Sequence, residues 1–195
     1  MRYLNNRGSN QRLFVTFHGT GGNLYSLYFL TEELDAKAGV LSFLGDKGVG
    51  VNRRYFNPLV NQELDREDFT HQVSRFLQLW DSLEVTASEI VAIGYSNGAN
   101  FLQGILSQRP DFADQVILLH PSDFQLDFTP SSKPKRLLVT AGSLDTLVSP
   151  GASMQLVKRL QSAFPDTQLE LLDGGHGVSD AEIEKVKKWL NAIRK

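Results

Sequence analysis

The sequence contains no cysteine, and this absence excludes disulfides, cysteine-ligated zinc, iron–sulfur clusters and any thiol nucleophile. A chain without cysteine is compatible with a reducing cytoplasm. Long apolar runs of the kind that span a bilayer are also missing, and the N-terminal residues lack the apolar core of a signal peptide. We therefore expect a cytoplasmic protein with no stable membrane insertion.

A strong net charge is lacking as well, since the formal charge at pH 7 is −2. Surfaces that bind nucleic acid or anionic membranes normally carry a large excess of basic residues, so neither partner is expected. The apolar fraction of 41% and the charged fraction of 22% are ordinary for a globular protein. A length of 195 residues fits a single domain over 1–195, and we expect a monomer or a homodimer.

Short apolar runs alternate along the chain with longer segments of helical periodicity. The runs are nearly continuous in Val, Ile, Leu and Phe, which is typical of strands buried on both faces of a parallel sheet. This alternation predicts a doubly wound α/β domain, with a mainly parallel sheet of about six to seven strands. The predicted strands are 13–19, 40–45, 90–96, 115–121, 136–142 and 168–175, and the predicted helices are 24–37, 67–83, 97–108, 150–163 and 179–193.

The last predicted helix has the clearest amphipathic pattern. Ser179 followed by Glu182 has the spacing of a capping box at its start. The apolar stripe predicts that one face of this helix packs against the sheet. The stripe consists of Ile183, Val186, Leu190 and Ile193.

A serine stands at a sharp corner in the pattern G-x-S-x-G, which reads Gly94-Tyr95-Ser96-Asn97-Gly98. A buried-strand pattern precedes Ser96 and a helical pattern follows it at once. The flanking glycines permit the close backbone approach that such a corner requires. Ser96 is therefore the candidate nucleophile, and a turn serine that caps the helix is the structural alternative.

A serine nucleophile needs a general base, and the base needs a carboxylate that orients it. Asp145 lies in "AGSLDTLVSP", after the strand 136–142, and His176 lies in "LLDGGHGVSD", after the last strand. The carboxyl ends of parallel strands meet at one edge of a sheet, so both side chains are expected near Ser96, in the chain order Ser, Asp, His. The alternatives are a turn carboxylate for Asp145 and an ordinary loop histidine for His176.

The remaining histidines have weaker claims to a catalytic role. His71 falls in the middle of a predicted helix, and His120 ends a strand, where it either borders the site or packs in the core. His18 opens "HGTGG", a turn rich in backbone N–H groups, and we expect it to brace this loop. We assign the oxyanion hole to the backbone N–H groups of Thr20 and Asn97. The rival interpretation, a phosphate-binding loop, lacks the G-K-[ST] ending.

The segments "HGTGGN", "AIGYSNGAN", "AGSLDTLVSP" and "GGHGVSD" together resemble the oxyanion loop, nucleophile elbow, acid loop and histidine loop of the α/β-hydrolases. Within that superfamily the chain is similar to the small bacterial phospholipase/carboxylesterase type, including dienelactone-hydrolase-like enzymes. The resemblance implies that Ser96, Asp145 and His176 form a catalytic triad. The family's usual N-terminal antiparallel strands are expected to be reduced here to one short edge strand.

Residues 46–66 show no periodicity, and a loop of that length in a compact domain is usually functional or disordered. No large cap is expected elsewhere, because only residues 122–135 separate two predicted strands. Arg53 and Tyr55 are therefore candidate substrate-binding residues. The alternative is a solvated loop that Tyr55 and Phe56 anchor in the core.

These motifs predict a serine carboxylesterase-type hydrolase that cleaves small to medium-sized esters through an acyl-enzyme on Ser96. Thioesters fit the same machinery, because the serine attacks the acyl carbon. The substrate is expected to be a small molecule, and the mechanism needs no cofactor and no metal. A non-catalytic binding or scaffold protein is the alternative, because a fold alone does not define a function.

Overall fold

Strands and helices alternate along residues 1–192, the part of the chain that the computed structural model describes. Each predicted apolar run forms a strand, and each predicted amphipathic segment forms a helix. Ile193, the last member of the predicted stripe, lies outside the described residues. The strands are β1 (Arg2–Asn6), β2 (Arg12–Phe17), β3 (Gly39–Leu44), β4 (Glu89–Tyr95), β5 (Gln115–Leu119), β6 (Arg136–Gly142) and β7 (Thr167–Leu172), and the helices are α1 (Tyr28–Asp35), α2 (Arg66–Ser82), α3 (Asn97–Gln108), α4 (Pro150–Ala163) and α5 (Asp180–Asn191).

All of these strands join one sheet in the order β1-β3-β2-β4-β5-β6-β7. Strands β2 to β7 pair in parallel, whereas β1 pairs with β3 in antiparallel orientation. The predicted α/β class with a mainly parallel sheet is therefore confirmed. Strand β1 is the short edge strand, with β3 as its single neighbour, and its residues RYLNN are mostly exposed.

The sheet has a switch point between β2 and β4. From β2 the chain proceeds outwards to β3, and it then returns through α2 to β4 on the other side of β2. The loops that follow β2 and β4 therefore diverge, and a crevice opens at the carboxyl ends of the two strands, where ligands bind in such sheets. The HGTGG loop follows β2 and Ser96 follows β4, so the topology brings both to this crevice.

Two apolar layers cover the faces of the sheet. Helices α2, α3 and α4 cover one face, over a core rich in phenylalanine, and α1 and α5 cover the other. The phenylalanines on the first face pack at close range, since the rings of Phe17 and Phe76 lie 5.2 Å apart in an edge-to-face contact. Each fully buried side chain of this size contributes about 1.5–3 kcal/mol relative to an exposed one. The sheet is thereby a rigid base for the loops at its carboxyl edge.

The segment 120–135 between β5 and β6 contains neither helix nor strand, so no cap domain is inserted there. Residues 46–66 are largely irregular, as expected, and contain a short 3-10 helix (Gly50–Asn52) and two isolated bridges. Across residues 1–192, none of the helices combines the length and the apolarity needed to cross a membrane.

Candidate active site

Ser96 occupies the corner between β4 and α3 in a strained backbone conformation, with φ 51° and ψ −113°. A non-glycine residue in such a region costs about 1–3 kcal/mol, which the surrounding packing has to offset. A Cβ on Gly94 would lie 2.6 Å from the carbonyl oxygen of Gly98, so the two segments approach too closely for any side chain there. The N–H of Ser96 donates to the carbonyl of Leu119 at 2.8 Å, which fixes the corner to the end of β5.

The structure brings Ser96, Asp145 and His176 together in one hydrogen-bonded chain. The distance from His176 Nε2 to Ser96 Oγ is 2.8 Å, and that from His176 Nδ1 to Asp145 Oδ2 is 2.7 Å. A carboxylate only accepts hydrogen bonds, so Nδ1 carries the proton and Nε2 is left to accept from the serine hydroxyl. This tautomer is the one that a general base needs, because its free lone pair points at the nucleophile.

Asp145 is held as a charged acceptor by its own loop. Its Oδ1 accepts the backbone N–H groups of Leu147 and Val148 at 2.8 and 3.0 Å. Burial raises the pKa of Asp145, but these hydrogen bonds and the one from His176 lower it more, so its pKa lies below the ordinary value. The carboxylate therefore stays ionised and orients the imidazole of His176.

Tyr95 forms a hydrogen bond with the backbone of His176, a contact that the sequence did not predict. Its hydroxyl donates to the backbone carbonyl of His176 at 2.9 Å. Tyr95 is the variable residue just before Ser96 in the G-x-S-x-G pattern. The nucleophile corner and the histidine loop are thus joined by a hydrogen bond outside the Ser–His–Asp chain.

The HGTGG loop presents backbone N–H groups beside Ser96. Within residues 1–192, no backbone carbonyl accepts the N–H of Thr20. Asn97 is the first residue of α3, so its N–H has no acceptor within the helix. Both donors are therefore available to a ligand, as an oxyanion hole requires.

The side chain of His18 holds the HGTGG loop in place by two hydrogen bonds. Its Nδ1 donates to the carbonyl of Gly19 at 2.6 Å, and its Nε2 accepts the N–H of Gly45 at 3.1 Å. Burial lowers the pKa of His18 and outweighs the hydrogen bond to Gly19, which acts in the opposite direction. The ring is therefore neutral, and its two hydrogen bonds fit the bracing role expected from the sequence.

The expectation that Tyr55 contacts substrate does not hold. Its side chain is fully buried, and its hydroxyl accepts the N–H of His18 at 3.0 Å and donates to the carbonyl of Phe43 at 2.7 Å. Phe56 is buried as well, so the alternative of a loop anchored by two aromatic residues is correct. An aromatic side chain in a loop is drawn into a neighbouring core whenever its apolar area can be covered there.

The arginines of the same loop lie closer to solvent. The guanidinium of Arg53 donates to the carbonyl of Gly45 at 3.1 Å. Arg54 reaches the HGTGG loop, since its Nη2 lies 3.3 Å from the hydroxyl oxygen of Thr20. The backbone of the two loops is also joined, because the N–H of Gly21 donates to the carbonyl of Arg53 at 2.8 Å.

His120 and Glu182 form a buried pair beside the Ser–His–Asp chain. Their Nε2 and Oε2 atoms lie 3.0 Å apart, and His120 Nδ1 is 3.4 Å from Asp145 Oδ2. The sequence indicated Glu182 only as part of a capping box with Ser179. Its backbone N–H does donate to Ser179 Oγ at 3.2 Å, but its carboxylate bonds to His120.

His120, Asp145 and His176 have the spacing of a metal site, since their ligating atoms lie within 4.8 Å of one another. The 2.7 Å distance between His176 Nδ1 and Asp145 Oδ2 is that of a hydrogen bond, and a cation would have to replace the proton on Nδ1. We therefore assign hydrogen bonds and ion pairs to this group of residues.

A cavity of about 320 Å³ adjoins the site. It lies over the HGTGG loop and is walled by Leu27, Phe29, Tyr95 and Val178. A larger cavity of about 750 Å³ lies at the opposite edge of the sheet, by the amino ends of β2 and β3, and none of the candidate site residues lines it. We place the substrate at the smaller cavity, because it adjoins the candidate nucleophile and the free N–H groups.

Comparisons with known proteins place this fold among carboxylesterases. The chain is 26% identical to the provisionally named hydrolase MhqD of Bacillus subtilis, over 97% of both chains. A solved carboxylesterase from Bacillus cereus has 28% identity and a TM-score of 0.88, over 97% of this chain and 92% of that one. The acyl-protein thioesterase 2 of Zea mays has the same fold at 17% identity, with a TM-score of 0.75, over 97% of both chains. No family model matches the chain.

Proposed function

We propose that this chain, which has the α/β-hydrolase fold of the phospholipase/carboxylesterase type, is a serine hydrolase that cleaves carboxylic esters through an acyl-enzyme on Ser96. The observation that carries the proposal is the continuous hydrogen-bonded chain from Ser96 through His176 to Asp145. The likeness to a solved carboxylesterase along nearly the whole chain supports the same chemistry. A cytoplasmic location and a monomeric or homodimeric state are further predictions, which rest on the sequence.

In the first half of the reaction, His176 Nε2 takes the proton of the Ser96 hydroxyl while Oγ attacks the acyl carbon. The negative charge that develops on the carbonyl oxygen is stabilised by the N–H groups of Thr20 and Asn97. Asp145 stabilises the imidazolium that forms, and His176 then returns the proton to the leaving alkoxide. The products are an alcohol and an ester between the acyl group and Ser96.

In the second half, water replaces the alcohol. His176 takes a proton from the water as it attacks the acyl carbon, and the same proton is returned to Ser96 Oγ when the bond to the acyl group breaks. The carboxylic acid leaves and the free serine is restored. A thioester would react at the same acyl carbon, with a thiol as the leaving group.

Labelling with a fluorophosphonate probe tests the proposal, because these reagents modify serines that an adjacent base activates. The expected result is labelling at Ser96 alone, together with turnover of at least one member of a panel of p-nitrophenyl esters and matching thioesters. Wild-type protein that is neither labelled nor active on any member would favour the alternative, a non-catalytic protein with this fold.

A further inference from the structure

His120 is a buried titratable group that borders the candidate active site and has no part in the proposed reaction. Its side chain is 1% exposed, and its Nε2 lies 3.0 Å from Glu182 Oε2. Its Nδ1 lies 3.4 Å from Asp145 Oδ2, the same oxygen that pairs with His176. The imidazole of His120 thus lies between two carboxylates: it is hydrogen-bonded to Glu182, and its Nδ1, which has no hydrogen-bond partner within residues 1–192, is at ion-pair distance from Asp145.

The backbone of His120 is held in an unfavourable conformation. Its φ is 51°, in the left-handed region that a residue with a Cβ seldom adopts. Its N–H donates to the carbonyl of Thr140 at 3.1 Å. Strain of this kind persists where the surroundings specify the position strongly, and it is concentrated at functional sites.

Glu182 is buried as deeply as its partner. It is 1% exposed, and it stands in the first turn of α5, where the positive end of the helix dipole lies near its carboxylate. Residues 1–192 offer its Oε1 atom no hydrogen-bond partner. A carboxylate buried in this way requires a nearby cation to compensate for its lost hydration. His120 is the group in position to supply that cation.

Titratable side chains from four parts of the chain lie around the ring of His120. Glu182 is on α5, Asp145 follows β6, His176 follows β7 with its ring centroid 5.4 Å away, and the ring of Tyr95 at the end of β4 is 6.1 Å away. Burial alone lowers the pKa of His120. The hydrogen bond and charge of Glu182, with the charge of Asp145, outweigh burial and raise the pKa of His120 above its ordinary value.

We propose that His120 is a positioning residue. As an imidazolium located between the carboxylates of Glu182 and Asp145, it sets the net charge beside the base, His176. This inference rests on the proposed function, because it takes His176 as the base. Two carboxylates and one imidazolium sum to a single negative charge. Without the cation, the carboxylates would repel each other and present a second negative charge at the base.

A histidine surrounded by more negative charge holds its proton more tightly, so activity would then require a higher pH. His120→Gln removes the cation but keeps a polar side chain. It should raise the midpoint of the kcat/KM–pH profile by about one pH unit, given charges a few ångströms apart in a partly buried site. Activity below the wild-type midpoint should fall about tenfold for each unit of that rise.

The double variant His120→Gln/Glu182→Gln separates charge from packing. It removes one positive and one negative charge, so Asp145 again supplies the single negative charge of the wild-type protein. The midpoint should return to the wild-type value even though two buried side chains have been changed. His71→Gln and Glu184→Gln, which alter exposed residues of the same types, should leave the profile unchanged.

Two outcomes of these experiments would overturn the proposal. An unchanged midpoint in His120→Gln, with a lower melting temperature, would show that His120 has a structural role alone. An equal shift in the single and double variants would show that charge compensation is not the cause.

Nuclear magnetic resonance of wild-type protein with ¹⁵N-labelled histidine keeps the proposal testable even if the variants fail to fold. The rings of His120 and His176 both lie near Tyr95, so the ring of His120 is identified by through-bond correlation with its own assigned backbone amide. Because the proposal requires an imidazolium while the protein is active, both of its ring nitrogens should carry protons at the midpoint pH of the kcat/KM–pH profile. A neutral His120 at that pH would reject the proposal.

Fluorophosphonate labelling of the same wild-type sample distinguishes this inference from the proposed function. Labelled, active protein in which His120 is neutral would reject the inference and leave the proposed function intact. Protein that is neither labelled nor active at any pH would reject the proposed function and the role of His120 in it, whatever the protonation of His120.

Discussion

Asn97 accepts the backbone N–H of Tyr55 at its side-chain Oδ1, at a distance of 2.9 Å. Asn97 follows Ser96, and the hydroxyl of Tyr55 in turn accepts the backbone N–H of His18 at 3.0 Å. Buried hydrogen bonds therefore fasten the nucleophile corner and the HGTGG loop to the loop of residues 46–66. The loop of residues 46–66 acts as a brace between the two segments that the proposed reaction uses.

Asn97→Ala is expected to destabilise the protein, because it leaves the buried N–H of Tyr55 without an acceptor. An unsatisfied buried donor costs about 1–3 kcal/mol, and we expect a loss of this size in the free energy of unfolding. Urea denaturation measures the loss. Asn52→Ala is the matched control, since Asn52 is exposed on the same loop, and it should change stability by less than about 0.5 kcal/mol. Equal losses in the two variants would contradict the bracing role of Asn97.

Ser96→Ala should abolish ester hydrolysis and leave the fold intact. Loss of a triad member lowers turnover by about 10⁴–10⁶ in comparable enzymes, because the acyl-enzyme no longer forms. The measurement is kcat on the best ester of the panel, with circular dichroism to verify folding. Ser162→Ala, at an exposed position of α4, serves as the control and should retain full activity. Substantial hydrolysis by folded Ser96→Ala would show that another group is the nucleophile.

The free energy of unfolding should decrease as the pH falls below about 4. Burial raises the pKa of Asp68, Asp114 and Asp145, but hydrogen bonds from neighbouring donors lower each pKa more, to below the unfolded value of 3.8. The unfolded chain therefore binds more protons in this range, so the stabilisation is present above 3.8 and is lost as the pH falls through the native values.

Each of these carboxylates adds up to about 1.4 kcal/mol per pH unit to the slope of stability against pH. Urea denaturation at a series of acid pH values measures that slope. Asp114→Asn, which removes one titrating group outside the candidate active site, should make the slope shallower. A free energy of unfolding that stays constant across this range would be incompatible with the lowered pKa values.

Neither Arg53 nor Arg54 lines the smaller cavity, but the guanidinium of Arg54 reaches the hydroxyl of Thr20, which does, so Arg54 is the candidate for selecting acidic substrates. Arg54→Ala should raise KM for esters that carry a carboxylate and leave KM for neutral esters unchanged. A charged hydrogen bond of about 1.5–3 kcal/mol corresponds to roughly tenfold or more in binding. Arg53→Ala is the comparison variant, because Arg53 is committed to the carbonyl of Gly45. Equal effects of Arg54→Ala on paired neutral and acidic esters would show that Arg54 does not contact the substrate.

The sequence determined the order of strands and helices, because periodicity and buried apolar runs are local properties of the chain. It also placed Ser96, Asp145 and His176 after parallel strands, hence at one edge of the sheet. The corner at Ser96 could also be predicted from a local pattern, because the glycines of the G-x-S-x-G motif indicate a close approach of the backbone there. The catalytic role of Ser96, Asp145 and His176 is the proposal made above.

Only the tertiary structure decided which partners the remaining side chains have. Tyr55 is buried because the core lies beneath its loop, and nothing in the letters "NRRYF" shows where that loop lies. Glu182 lies 62 positions from His120 along the chain, yet the packing of α5 on the sheet brings them to 3.0 Å. The energy of a buried charge depends on all the groups around it, and those groups are assembled only when the loops of several strands meet at one edge.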